Sequence, residues 1–233
     1  MITLYAFGPA FGVADPSPFV LKIDAFMRLN GIEFESRSSF KSLQSAPKGK
    51  LPYIKDGDKI IADSFFIQKH LTEKFKLNID ELITPEQHAQ AHFISKATEE
   101  SLYWCVVYFR WIYAKNWPIV KHEFFSKMPF PLKVIAPFFA RKSVKSALHG
   151  HGLGRHSEQE ILMIAQNHLE AISTLLGENS YCFGDQPSSL DATVYAFLAE
   201  IYLVSLKSTL SELSSNYHNL KKYCELFQAK YYS

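Results

Sequence analysis

Cysteine is scarce in this sequence of 233 residues, and no two cysteines lie close together. Their number is odd and none forms a Cys-x-x-Cys pair, so the sequence contains neither a disulfide framework nor the spacing of a dithiol or zinc site. We interpret all three as reduced thiols and predict a cytoplasmic protein. They are Cys105, Cys182 and Cys224.

An excess of one charge is also lacking. The 25 lysine and arginine residues nearly balance the 23 aspartate and glutamate residues, which leaves a formal net charge of +2. This balance argues against a nucleic-acid partner, because such proteins carry a strongly basic face. Hydrophobic residues make up 47% of the chain, and this composition together with the length predicts two compact domains that share an interface.

No apolar run is long enough to span a bilayer. The most conspicuous run, from Val134 to Ala140, contains Pro137 and lies between Lys133 and Arg141. Peripheral contact with a membrane and burial between the domains both explain such a run, and we favour burial. The N-terminal stretch lacks a basic segment and is interrupted by Asp15, so we predict no secretory signal.

The first third of the chain alternates strand and helix signals. Ile2 to Phe7 alternate in a strand-like way before Gly8-Pro9. Ser17 is a suitable N-cap and Pro18 a suitable first residue for a helix that ends near Asn30-Gly31. A short second strand from Ile32 to Arg37 is then expected.

A hairpin and a second helix follow. The apolar pairs Tyr53-Ile54 and Ile60-Ile61 flank an Asp56-Gly57 turn. Asp63 and Ser64 stand where the N-cap of the next helix belongs. The order strand, helix, strand, strand, strand, helix predicts an α/β domain of the thioredoxin-like type, to which we assign residues 1–78.

Strand signals disappear after Asn78. Helix starts are instead indicated at Thr84 with Gln87, at Ser157 with Glu160, and at Ser188-Ser189 with Asp191. We therefore assign residues 84–233 to an all-α domain, in which Asp191 has a structural capping role.

Three sequence blocks stand out: Pro16 to Phe19 with Leu21-Lys22, Pro47 to Ile54 with Asp63-Ser64, and Gly152 to Ser157 with Asp185 to Asp191. Together they resemble the glutathione S-transferase family and, within it, the branch that includes failed-axon-connections and metaxin-like proteins. The resemblance spans nearly the whole chain. It implies a glutathione-transferase-like fold, glutathione as co-substrate, a homodimer and a role in detoxification.

The resemblance implies a glutathione site built from the second block. A cis Leu51-Pro52 bond would present the Leu51 backbone to a peptide-like ligand, and we favour it over a simple edge-strand proline. Asp63 and Ser64 would hold the γ-glutamyl end, because a helix N-terminus favours a carboxylate. Lys50 either reaches the glycyl carboxylate or nearby backbone of the ligand, or is solvated.

Two hydroxyl groups are candidates for activating the glutathione thiol. Ser17 and Val20 occupy the positions of the thioredoxin cysteine pair, so dithiol and mixed-disulfide chemistry are excluded there. Ser17 either donates a hydrogen bond to the sulfur or serves only as an N-cap. Tyr5 is the alternative catalytic hydroxyl, although its early place in the first strand favours a core or interface role.

Bulky aromatic residues on the long helix after Thr84 predict a pocket for a second, small apolar substrate. The same residues equally suit packing against the first domain. They are Tyr103, Trp104, Tyr108 and Trp111, with Arg110 among them.

Two functions remain open from the sequence. The first is a transferase that adds glutathione to an apolar electrophile, and the alternative is a non-catalytic binding or adaptor module of the same fold. The unusual block from Gly8 to Ser17 and the branch itself, which includes proteins not established as enzymes, favour the alternative. Neither function uses a metal, because the spacing of His149, His151 and His156 matches no metal-binding pattern.

Overall fold

A four-stranded mixed sheet forms the first part of the molecule. The structure is a computed structural model that describes residues 1–232, with the side chains of all of these except positions 40 and 41. The strand order is β2-β1-β3-β4; β1 and β2 are parallel, and the other neighbouring pairs are antiparallel. The strands are β1 (Ile2–Ala6), β2 (Phe34–Ser38), β3 (Tyr53–Asp56) and β4 (Lys59–Ala62).

Three helices accompany this sheet: α1 (Pro18–Leu29), α2 (Phe40–Gln44) and α3 (Ser64–Phe75). The parallel β1–β2 pair requires a crossover, which α1 provides. Ser17 caps α1 and Asp63 caps α3, as the sequence predicts. The five-residue α2 is not predicted, because a single helical turn carries no periodic pattern.

The remaining elements are helical, and residues 79–232 contain no strand. A long helical run combines α4 (Pro85–Ala97) and α5 (Tyr103–Val107) with two π-helical segments, Thr98–Leu102 and Tyr108–Ile112. The later helices are α6 (Trp117–Phe125), α7 (Leu132–His151), α8 (Glu158–Leu176), α9 (Ser189–Tyr202), α10 (Thr209–Ser214) and α11 (His218–Tyr231), with a 3₁₀ turn at Leu153–Arg155. Capping boxes open α4, α8 and α9, as predicted. None of the described helices is long and apolar enough to cross a membrane.

A shared core joins the sheet to the helical part. The main contact is between α1 and α9, and α9 is buried over most of its length. Phe19 of α1 packs edge-on against Phe197 of α9, with ring centroids 5.2 Å apart. Beside them, the buried ammonium of Lys22 donates to the Glu99 carboxylate over 2.6 Å. Apolar packing and one desolvated ion pair therefore fix α1 against the helices.

The apolar run from Val134 to Ala140 is exposed, so the predicted burial between the domains is wrong. This run lies within α7, and of its large residues only Pro137 is buried. The inward stripe of α7 continues through Arg141, Val144 and Leu148. Because seven consecutive residues cover nearly two turns of a helix, one stripe cannot bury them all.

Candidate functional site

Three loops meet at one end of the sheet. The register aligns Tyr5 of β1 with Tyr53 of β3, and Tyr53 with Ala62 of β4. Since both pairings are antiparallel, the chain leaves β1, enters β3 and leaves β4 at the same end. Residues 7–17, 51–52 and 63–64 are therefore neighbours there, together with the N-termini of α1 and α3.

The segment before β3 presents unpaired backbone groups at this end of the sheet. The Leu51-Pro52 peptide bond is cis, as the sequence predicts. No described residue makes a hydrogen bond with the N–H or C=O group of Leu51, whereas the Pro52 carbonyl accepts from the Asp63 N–H over 3.3 Å. The neighbouring Lys50 side chain is exposed. Leu51 thus offers one donor and one acceptor to a peptide-like ligand.

The start of α3 is strained and polar. Asp63 has φ +84°, a conformation that costs a non-glycine residue about 1–3 kcal/mol and is concentrated at ligand sites. Its exposed carboxylate accepts from the Phe65 N–H over 3.0 Å. Ser64 is buried, and its hydroxyl has no hydrogen-bond partner among the described residues. This turn therefore combines a free hydroxyl with a helix N-terminus that attracts anions.

Ser17 lies at the N-terminus of α1 and is half-buried. Its hydroxyl oxygen accepts a hydrogen bond from the Val20 N–H at 3.5 Å, which is longer than a usual N–H···O hydrogen bond. The cap uses only an acceptor lone pair, so the hydroxyl proton stays free to be donated. Capping and ligand binding are therefore compatible at Ser17.

A buried carboxylate under the first turn of α1 fixes the position of Ser17. Asp15, which is 2% exposed, accepts from the N–H groups of Phe7 at 2.7 Å, Gly8 at 2.9 Å and Ser17 at 2.8 Å. Burial raises the pKa of Asp15 from 3.8 to about 7, because it outweighs these three donors, and the nearby Glu200 adds to the rise. No periodicity or spacing in the sequence marks Asp15 for this structural role.

A buried ion pair between Arg110 and Glu200 also contacts the loop of residues 7–17. Arg110 donates to the Glu200 carboxylate and to the Pro16 carbonyl oxygen, and its guanidinium lies 5.5 Å from the Phe11 ring centroid. Burial raises the pKa of Glu200, and the contact with Arg110 opposes this rise. The Nε of Arg110 and the Oε1 of Glu200 have no partner among the described residues, and both residues line a cavity of about 20 Å³, large enough for one water.

Tyr5, the alternative catalytic hydroxyl, lies on the other face of the sheet. Ile2, Leu4 and Ala6 of β1 belong to the core that contains α1, and side chains alternate along a strand. Tyr5 therefore points to the face of the sheet opposite α1, where it is half-buried against Tyr53 of the same core cluster. It stacks on Tyr53, with ring centroids 4.2 Å apart.

Of the four aromatic residues of the predicted second pocket, Tyr103 and Trp104 contact each other, with ring centroids 5.2 Å apart, and each of the four also has other aromatic neighbours. Tyr103 packs on Phe19 at 5.0 Å, Trp104 stacks on the His151 ring at 4.7 Å, and Trp111 stacks on Phe124 at 5.6 Å. Tyr108 is half-buried beside Phe109. Their assignment to a substrate pocket stays a prediction. Among the described residues, no group of three or more His, Cys, Asp or Glu side chains could hold a metal ion.

The chain matches two protein-family models and a named bacterial enzyme. The family model for the glutathione S-transferase N-terminal domain matches residues 18–116, and the model for the glutathione S-transferase C-terminal domain matches residues 165–227. The chain is 32% identical over 209 residues to the isoprene-epoxide glutathione S-transferase of Rhodococcus sp. strain AD45, covering 86% of this chain and 87% of that enzyme.

Two further relatives carry names that give no activity. Failed axon connections of Drosophila melanogaster is 30% identical over 219 residues, which are 88% of this chain but only 51% of that protein. Metaxin-1 of Mus musculus is 29% identical over 95% of this chain and 72% of its own length. Among solved structures, β-etherase LigF from Sphingobium sp. strain SYK-6 superposes with a TM-score of 0.70 at 17% identity, covering 98% of this chain and 95% of that one. At that identity the likeness shows the fold alone.

Proposed function

Because this chain belongs to the glutathione S-transferase family, in the branch related to failed axon connections and the metaxins, we propose that it binds glutathione and transfers it to an apolar electrophile. One observation carries the proposal. Unpaired polar groups of Leu51 and Ser64 lie at the same end of the sheet, beside the N-termini of α1 and α3.

Glutathione is a tripeptide with a charged group at each end, and the proposed roles follow from that chemistry. The Leu51 backbone pairs with the cysteinyl residue in the manner of an added strand. The Ser64 hydroxyl and the N-terminus of α3 bind the γ-glutamyl carboxylate, and the Asp63 carboxylate faces the γ-glutamyl ammonium group. Lys50 pairs with the glycyl carboxylate.

Ser17 is proposed to promote formation of the thiolate. A hydroxyl that donates to sulfur stabilises the thiolate relative to the thiol, and each pKa unit corresponds to about 1.4 kcal/mol. The thiolate then attacks an electrophilic carbon. With an epoxide, a C–S bond forms, a C–O bond breaks, and the released oxygen takes a proton from water. An epoxide is the first electrophile to test, because the Rhodococcus relative is named for isoprene epoxide.

The oligomeric state and compartment belong to the same proposal. Helix α4 has no buried residue and exposes 72% of Phe93, while α3 exposes Phe65 and Phe66. We propose that these side chains are covered in a homodimer, which is the commonest closed assembly. Three free, buried thiols support a cytoplasmic location.

Calorimetric titration with reduced glutathione tests the binding site. We expect saturable heat with the native chain and at least tenfold weaker binding with Ser64→Ala. Ser189→Ala is the matched control, because Ser189 is likewise the first residue of a helix but lies in α9. Equal affinity of the native chain and Ser64→Ala would remove the proposed γ-glutamyl site.

The ultraviolet absorbance of the bound thiolate tests the catalytic hydroxyl. We expect it at neutral pH with the native chain and with Tyr5→Phe, and its loss with Ser17→Ala. Loss with Tyr5→Phe alone would transfer the role to Tyr5 and leave the transferase proposal intact.

The adaptor function is the second candidate, favoured by the relatives whose names give no activity and by the use of the Ser17 hydroxyl as a helix cap. It predicts that glutathione binds, or fails to bind, without thiolate absorbance and without consumption of an epoxide. Detection of the thioether product by mass spectrometry would exclude a purely non-catalytic role.

A further inference from the structure

An apolar surface is exposed around the start of α7. Phe130 is 78% exposed, Phe138 66% and Phe139 60%, and three aliphatic side chains nearby are about half exposed. A soluble monomer rarely leaves so many large apolar side chains in water within ten consecutive residues. We call this set the α7 apolar surface; its members are Phe130, Leu132, Val134, Ile135, Phe138 and Phe139.

Basic residues accompany this surface along the chain. From Phe124 to Ser157 the chain contains six lysine and arginine residues and no aspartate or glutamate. The rest of the chain contains 19 basic and 23 acidic residues, so the excess of positive over negative charge comes from this region alone. Such an arrangement favours an anionic partner.

Fixed contacts hold α7 against the body of the protein while its outer face stays free. The Arg141 guanidinium donates to the carbonyl oxygens of Trp111 at 3.1 Å and Ile112 at 3.0 Å, and it lies 4.8 Å from the Trp117 ring centroid. An open groove of about 560 Å³ runs between α6 and α7. Apolar side chains line it alongside Lys121, Lys142 and Lys145. Phenylalanines and lysines therefore face outward from one rigid support.

We propose that the α7 apolar surface docks this protein on an anionic lipid bilayer. Phe130, Phe138 and Phe139 enter the boundary between headgroups and acyl chains, as on amphipathic helices that lie flat in a membrane interface. The lysine stems extend along the apolar surface and place their ammonium groups at the lipid phosphates. The protein lies on the bilayer and does not span it.

Charge argues for a membrane and against a second copy of this chain. A two-fold contact would place this patch against itself and bring equal positive charges together. An anionic bilayer satisfies the apolar and the basic groups at once. A purely electrostatic partner would leave the phenylalanines in water.

Vesicle sedimentation tests the charge requirement. We expect the native chain to sediment with vesicles of phosphatidylcholine mixed with phosphatidylserine, and not with phosphatidylcholine alone. Lys142→Gln/Lys145→Gln should weaken binding about 25-fold, which is about fivefold for each lysine. Lys221→Gln/Lys222→Gln, on exposed positions of α11, has the same net charge and should bind like the native chain.

A second variant tests the apolar requirement. Phe138→Ser/Phe139→Ser should weaken vesicle binding at least tenfold at an unchanged melting temperature, because both side chains are exposed. Met163→Ser/Leu226→Ser, which replaces two exposed apolar residues elsewhere, is the control. Absence of sedimentation with mixed vesicles, or full binding by either test variant, would overturn the proposal. A dimer that Phe138→Ser/Phe139→Ser converts to monomers, without vesicle binding, would assign the surface to self-association.

Discussion

Replacing Asp15 with asparagine removes a buried negative charge from beneath the first turn of α1. The carboxylate accepts three backbone N–H groups, two through Oδ2 and one through Oδ1. An asparagine whose carbonyl replaces Oδ2 keeps the bonds from Phe7 and Gly8. The asparagine amide N–H₂ then faces the Ser17 N–H. Relative to the native chain with a neutral Asp15, this clash costs about 1–2 kcal/mol of stability at every pH.

The pH dependence of this difference follows from the pKa of Asp15. In the folded protein the pKa is raised from 3.8 to about 7 by burial. The folded chain therefore retains a proton that the unfolded chain has already released. The stability contributed by the neutral form is complete below pH 3.8 and is lost as the pH rises through about 7.

The shift corresponds to about 4 kcal/mol in the free energy of unfolding, at 1.36 kcal/mol for each pKa unit. About 3 kcal/mol of this is lost between about pH 5 and about pH 8.5. The substituted asparagine side chain carries no charge at either pH. Asp15→Asn escapes this loss, so its stability relative to the native chain should rise by about 3 kcal/mol from the lower to the higher pH, and it should be the more stable chain at the higher pH.

Urea unfolding of both chains across this range measures the difference directly. Glu160→Gln is the control, since hydrogen bonds from Ser157 hold the pKa of Glu160 below its ordinary value, so its difference from the native chain stays constant above about pH 5. A constant difference for Asp15→Asn would show that the three N–H donors outweigh burial. It would refute the assignment of a near-neutral pKa to Asp15.

Three further predictions concern groups that the fold buries. Glu99→Gln should destabilise the chain by about 3–5 kcal/mol in urea unfolding, because it leaves the Lys22 charge unpaired between α1 and the helical part. A decrease of less than about 1 kcal/mol in the free energy of unfolding would contradict this. Asp191→Ala should lower the free energy of unfolding by about 3 kcal/mol, because Asp191 caps α9 and accepts from the Cys182 N–H and the Tyr223 hydroxyl. An unchanged melting temperature would exclude that structural role. Burial raises the pKa of the thiols of Cys105, Cys182 and Cys224. A disulfide reagent should therefore label the native chain far more slowly than the urea-unfolded chain. Rapid labelling of the native chain at neutral pH would contradict the buried placement of these cysteines.

The sequence alone predicts elements whose signals are local. The capping boxes at Thr84, Ser157 and Ser188 form because each needs only a side chain and a backbone group three residues away. The order of strands and helices in the first third, apart from the short α2, was predicted from such local signals, and the cis bond before Pro52 was also predicted. These local features, together with the resemblance, lead to the family.

Only the tertiary structure decides contacts between distant residues and the direction in which a side chain points. Arg110 and Glu200 are 90 residues apart, and nothing in either neighbourhood predicts their buried pair or the role of Asp15 beside it. Hydrophobicity identified the run from Val134 to Ala140 but did not predict that it is exposed. A helix buries only the stripe of residues that meets a neighbouring element, and composition does not say which residues form that stripe.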